Sequence, residues 1–169
     1  MPAKQGDNRN RRIKQICIMG LLTALCMIFG YIETFIPLIA IAPGVKIGLS
    51  NAVALILIMC GDIKGAFFVN ITRILLSALL FGSPFSLLFS AVAGVGSQIV
   101  SSLLYKTRVF SAVGISVAGA VTHNILQLAV ALFIVGQGAI YYAPILLIGG
   151  AVSGVLVGIP CKIIIERLK

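Results

Sequence analysis

The sequence predicts an all-α integral membrane protein, a bundle of six transmembrane helices with both termini on the cytoplasmic side. Three observations predict it. Hydrophobic residues make up 60% of the chain and charged residues 10%, with a mean hydropathy of +1.14, and so much apolar surface is stable only in lipid. The apolar runs are roughly 15–25 residues long, which suits membrane helices rather than barrel strands, because backbone groups in hydrocarbon must bond within their own segment. Gly, Pro and basic residues separate these runs, and the basic residues gather at the run ends.

Residues 1–12 read as a basic cytoplasmic arm, expected to be disordered, and residues 13–169 as a single six-helix membrane domain. The first helix is expected over 13–36. Its basic start followed by an apolar run resembles a signal peptide, but the run is too long and no small-residue cleavage site follows, so it reads as an uncleaved span. Two prolines and a glycine in PLIAIAPGV, 37–45, make an extracytoplasmic loop. The second helix, 46–60, is short for a full span and reads as tilted or partly re-entrant. GDIKG, 61–65, is a tight turn, and the third helix follows over 66–81, ending at Gly82-Ser83-Pro84. The fourth, 85–105, closes at Lys106-Thr107-Arg108; the fifth, 110–135, at Gly136-Gln137-Gly138; the sixth, 141–165, runs into Glu166-Arg167-Leu168-Lys169. The two halves share no residue-level repeat, since Arg73 has no counterpart in the second.

The net charge of +9 raises the question of nucleic acid. No aromatic–basic interleaving accompanies the charge, so no nucleic-acid partner is expected; basic residues beside a membrane segment instead meet anionic headgroups of the lipid bilayer. With the N-terminus inside, the cytoplasmic set comprises Lys4, Arg9, Arg11, Arg12, Lys14, Lys64, Lys106, Arg108, Lys162, Arg167 and Lys169, which is 11 of the 13 basic residues. That is the asymmetry of a chain with cytoplasmic termini. Only Lys46, at an outer boundary, and Arg73, inside the third span, remain. Cys17, Cys26, Cys60 and Cys161 lack metal-ligand spacing and read as small membrane hydrophobes.

An ionised side chain inside a bilayer costs roughly 2.5–3.5 kcal/mol on insertion scales, so Arg73 needs a reason. Asn70, Arg73 and Ser77 fall at i, i+3 and i+7, on one helix face. His123 and Gln127 form an i, i+4 pair on the fifth helix, with Asn124 beside them. Glu33 lies near the outer end of the first helix; Lys46, Ser50 and Asn51 lie near the outer end of the second, within PGVKIGLSN, 43–51. Glu33 reads as an ion-pair partner of Lys46 or Arg73, as an exposed residue at the membrane interface, or as part of a site. By depth, Glu33, Lys46, Asn51, Ser77 and Gln127 lie in the outer half, with Arg73 and His123 near the midplane, which suggests a polar cavity open to the outside. Gln98 lies deeper and reads as an interhelical hydrogen bonder.

Gly150, Gly154 and Gly158 repeat at a spacing of four on the sixth helix, as do Gly20 and Ala24 on the first. Such stripes bring helices together within a chain or dock a partner subunit. The four acidic residues are scattered, which excludes an aspartate-rich Mg²⁺–diphosphate motif, and no phosphate-binding Gly-rich loop or dinucleotide fingerprint appears. No cofactor and no metal are expected, and the residues favour a non-catalytic protein.

PGVKIGLSN, Arg73 followed by LLFG at 79–82, and GAVTHNILQ at 119–127 resemble the bacterial Gx transporter family, also labelled heptaprenyl diphosphate synthase component I. That family is similar in turn to the six-helix substrate-binding components of energy-coupling-factor (ECF) transporters. The resemblance implies a multi-pass protein of the bacterial cytoplasmic membrane that binds a small-molecule solute from outside, at Lys46, Asn51, Arg73, His123, Asn124 and Gln127. It implies as partner either an ECF transmembrane scaffold with its ATPases or, under the second label, a soluble prenyl diphosphate synthase subunit. The leading expectation is uptake of a polar or anionic solute, with Arg73 and Lys46 on the anionic group, the neutral polar residues as hydrogen bonders, and loop 37–45 as a lid in which Gly44 and Gly48 let the backbone approach the ligand. The alternative is a non-catalytic membrane subunit of a polyprenyl diphosphate synthase.

Overall fold

In the computed structural model the described residues are 3–35, 48–81 and 84–168, and they form helices with no strand among them. Six α-helices follow in order, α1 (Ala3–Thr34), α2 (Leu49–Met59), α3 (Ile63–Phe81), α4 (Pro84–Thr107), α5 (Ala112–Val135) and α6 (Ala143–Leu168), with a 3₁₀ turn at Gln137–Tyr142 before the last. Five of them carry stretches long and apolar enough to cross a membrane; α2, at 11 residues, is the exception. At 1.5 Å per residue α2 spans about 16 Å, roughly half of a hydrocarbon core.

Local chemistry accounts for the ends. Gly61 takes the left-handed φ of 90° after α2, a conformation open to glycine at little cost. Asp62 then caps α3 by accepting a hydrogen bond from the Gly65 amide at 2.8 Å, so α3 starts at Ile63 rather than at 66. Ser111 caps α5 in the same way, accepting from Gly114 N at 3.2 Å. Pro84 opens α4, where its missing N–H costs nothing. The basic N-terminal residues differ from expectation: α1 begins at Ala3, so the arm continues the first helix. AKQGDNRNRRIKQ contains no proline and is rich in Lys, Arg and Gln, all good helix formers.

Helices α3, α4, α5 and α6 pack in sequence, each against the next; α1 rests on α2 and α3, and α2 also touches α4, α5 and α6. The short helix is therefore enclosed. One apolar cluster joins Leu55 of α2 to Ala112 and Ile115 of α5 and to Val157, Cys161 and Ile165 of α6; a second joins Cys26, Val53 and Val69. The Cys161 thiol donates to the Ala52 carbonyl at 3.7 Å. Outward-facing positions are large and apolar, Leu79 and Phe133 among them, while Asn70, Ser97, Gln98, Ser101, Ser102 and Asn124 are buried. Apolar outside and polar inside is the arrangement of a protein whose solvent is lipid.

Gly150, Gly154 and Gly158 face α5. A Cβ at Gly154 would lie 2.5 Å from Val117 Cα and one at Gly158 2.9 Å from Val113 Cα. Of the two uses open to such a stripe, this one packs inside the chain, where it lets two backbones approach. Gly20 is the opposite case, with nothing within 4 Å of its added Cβ, and Ala24 is exposed beside it.

Gly154→Leu is expected to force α5 and α6 apart and cost about 3 kcal/mol, seen as a clear fall in the thermal unfolding temperature in detergent. Gly20→Leu, with open space around it, should leave that temperature unchanged.

Candidate functional site

The site is built where α2 begins. Its C-terminal end is tied to the Gly61 turn, beside the start of α3, and because the helix is short its N-terminus stops opposite the middle of α3. There Arg73 meets it: Nη1 donates to Ser50 Oγ at 3.0 Å and Nη2 donates to Asn70 Oδ1 at 3.1 Å. Gly48, before the first helical residue, has a φ of 81° and supplies no side-chain cap. The cap comes from another helix. Glu33, near the end of α1, accepts the Leu49 amide on Oε1. The Asn51 amide turns back to the Gly48 carbonyl at 2.9 Å. A helix N-terminus carries about half a positive charge, so carboxylate, helix end and guanidinium make a compact charged group.

From Arg73 the hydrogen bonds continue across α3 and α4. Asn70 Nδ2 donates to Gly94 O at 3.1 Å and to Gln98 Oε1 at 2.6 Å. Ser97 Oγ donates to the same Gly94 carbonyl at 3.2 Å and lies 3.5 Å from His123 Nδ1. One network thus links α2, α3, α4 and α5. Ser77 Oγ donates instead to Met27 Sδ at 3.2 Å, which ties α3 to α1. The side-chain atoms Arg73 Nε, Gln98 Nε2 and Ser102 Oγ are buried without a hydrogen-bond partner among the described residues.

The expected residues separate accordingly. Glu33 and Arg73 meet at the start of α2, and His123 joins the same network through Ser97. Asn51 stands in the first turn of α2, half-buried, and Gln127 lies one turn along α5 from His123; the side chains of both make no hydrogen bond among the described residues. Asn124 points elsewhere. Its Nδ2 donates to Leu146 O at 2.7 Å, and it would lie 2.8 Å from a Cβ at Gly150, so it joins α5 to α6 and is committed to packing. Lys46, Gly44 and the loop over 37–45 lie outside the described residues, so the lid and the part of Lys46 in the site stay expectations.

Three residues of the network gain their place only from the structure. In the sequence Ser50 is one polar residue among several, Asn70 only shares a face with Arg73, and Ser97 is one of several serines on the fourth helix. The signal for Ser97 was present in GSQIVSS on α4, where Ser97 and Ser101, and likewise Gln98 and Ser102, repeat at i, i+4.

Long apolar helices around a buried polar network, with an arginine at one end of it, define a polytopic membrane protein with a polar interior. The family model of heptaprenyl diphosphate synthase component I matches residues 22–164, and the chain belongs to that family. No curated protein and no solved structure matches it. The family match runs from α1 into α6, so it takes in Glu33, Ser50, Asn70, Arg73, Ser97 and His123 alike.

Asn70→Ala would strip acceptors or donors from Arg73, Gly94 and Gln98 together. It is expected to destabilise the protein by about 1–3 kcal/mol, measured by unfolding in mixed micelles, and the loss should couple non-additively with Gln98→Leu in a double-mutant cycle.

Proposed function

We propose that the chain is a membrane-embedded binding protein which acts as the substrate-binding component in uptake of a polar or anionic solute. The observation that carries this reading is the guanidinium of Arg73, turned inside the bundle onto the N-terminus of α2. Helix ends of this kind point at anionic groups in transporters built from broken helices, and a guanidinium recognises a carboxylate or phosphate through paired donors. His123, Asn51 and Gln127 would add neutral hydrogen bonds. The basic-residue asymmetry supports cytoplasmic termini in a bacterial plasma membrane, which would turn the loop over 37–45 and the mouth of the site outward. Energy would come from separate chains, such as an ECF scaffold with ATPases.

The family's description supports a second reading, a non-catalytic membrane subunit beside a heptaprenyl diphosphate synthase. In that role Arg73 and the α2 terminus would contact diphosphate while the apolar helices accept the prenyl tail. The scattered acidic residues weigh against catalysis in this chain itself, since they leave nothing to gather Mg²⁺.

Arg73→Ala is expected to weaken binding of the anionic solute at least about 100-fold while the chain still inserts. Native mass spectrometry after gentle purification reads this as a small molecule retained by the parent protein and lost from the variant; retention by both would remove Arg73 from the site. Affinity purification separates the two roles. A scaffold and ATPases recovered with the chain support uptake, and a prenyl synthase whose activity rises with the chain supports the second reading.

A further inference from the structure

The charged group at the start of α2 already contains an anion, supplied by the protein. Three features define its seat. Gly48 gives α2 no side-chain cap, so its first amides need an acceptor from elsewhere. The Leu49 amide is given to Glu33 Oε1. Arg73 is held against the same turn through Ser50 at 3.0 Å, with its Nε buried and without a partner among the described residues. A helix N-terminus alone would be an ordinary capping site. Here a guanidinium that Ser50 and Asn70 hold, with its Nε buried and unused, lies against it, and the carboxylate that caps the helix end comes from a different helix.

We infer that Glu33 is a built-in stand-in for the ligand, occupying a carboxylate seat that a carboxylate-bearing solute takes by displacing it. This rests on the binding reading above and names the solute's charged group: a planar carboxylate, which accepts the Leu49 amide on one oxygen and turns the other toward the Arg73 fork. The displaced Glu33 side chain, at the end of α1, swings away from α2 and frees the first turn. In the absence of solute the seat stays filled, so neither the helix end nor the arginine is left bare in the membrane. Glu33 therefore competes with the solute and sets its apparent affinity.

Removing the competitor tests this. In the full-length protein purified in detergent, Glu33→Ala should unfold at a lower temperature than the parent. Sodium acetate should raise that temperature by about 3 °C or more at saturation, against sodium chloride of equal ionic strength, while the parent protein responds far less. Where the alanine variant does not fold, Glu33→Gln replaces it, because the amide oxygen still accepts from Leu49 but yields to acetate more readily than a carboxylate does. A variant that responds to acetate no more than the parent overturns the proposal. If inorganic diphosphate stabilises the variant and acetate does not, the seat is for diphosphate, and the carboxylate assignment falls while anion binding at Arg73 stands. If neither anion stabilises parent or variant, the carboxylate seat falls, and the uptake reading is judged separately by the molecule retained with the parent protein. Adding Arg73→Ala to Glu33→Ala should abolish the acetate response; a response that survives also overturns the proposal.

Discussion

A guanidinium inside an apolar bundle has to be given acceptors, and most of the polar interior follows from how Arg73 receives them. The group only donates, so Asn70 must present its oxygen to it, which turns the Asn70 amide nitrogen toward α4. That nitrogen then fixes the acceptors opposite it, the Gly94 carbonyl and the Gln98 oxygen. Gln98 is left with its own NH₂ facing inward, one turn from Ser102, and both atoms are without partners among the described residues. The direction of each bond is thus set by the charge at one end of the chain.

The architecture around it is organised to bring a helix end to that charge. Had α2 crossed the full thickness, its N-terminus would have met the membrane boundary and capped itself in water. At 11 residues it ends beside Arg73, and Glu33 supplies the acceptor its first amide lacks. The close α5–α6 approach serves the other side of the bundle. With glycine at 150, 154 and 158, and Asn124 bonded to the Leu146 carbonyl, α6 lies tightly on α5, and His123, the residue before Asn124, is carried on the partner helix toward α4. Two adjacent residues of one motif thereby serve different ends, one packing and one polar network.

The membrane class, the helix order and the centrality of Arg73 were legible in the sequence because each depends on residue type and spacing alone. So were the short second helix and the i, i+3 relation of Asn70 to Arg73. What was not legible came from partners distant in sequence. Glu33 could be assigned to a base or to the interface, but nothing in a linear pattern says that its oxygen reaches the Leu49 amide. Asn124 lies within GAVTHNILQ beside His123 and Gln127, yet neighbouring residues on a helix point about 100° apart and meet different helices. The glycine stripe of α6 was equally ambiguous, since close backbone approach looks the same in sequence whether the other backbone belongs to the chain or to a partner.

The sequence by itself determined that this protein lives in lipid as a helical bundle and that a buried cation must be accommodated there, because hydropathy and charge are properties of residues and carry through any arrangement of them. The tertiary structure decided what the cation faces. Hydrogen-bond direction, the depth at which α2 stops and the choice of which helix supplies the carboxylate depend on contacts between α1, α2, α3 and α4, and those contacts exist only once the helices have packed.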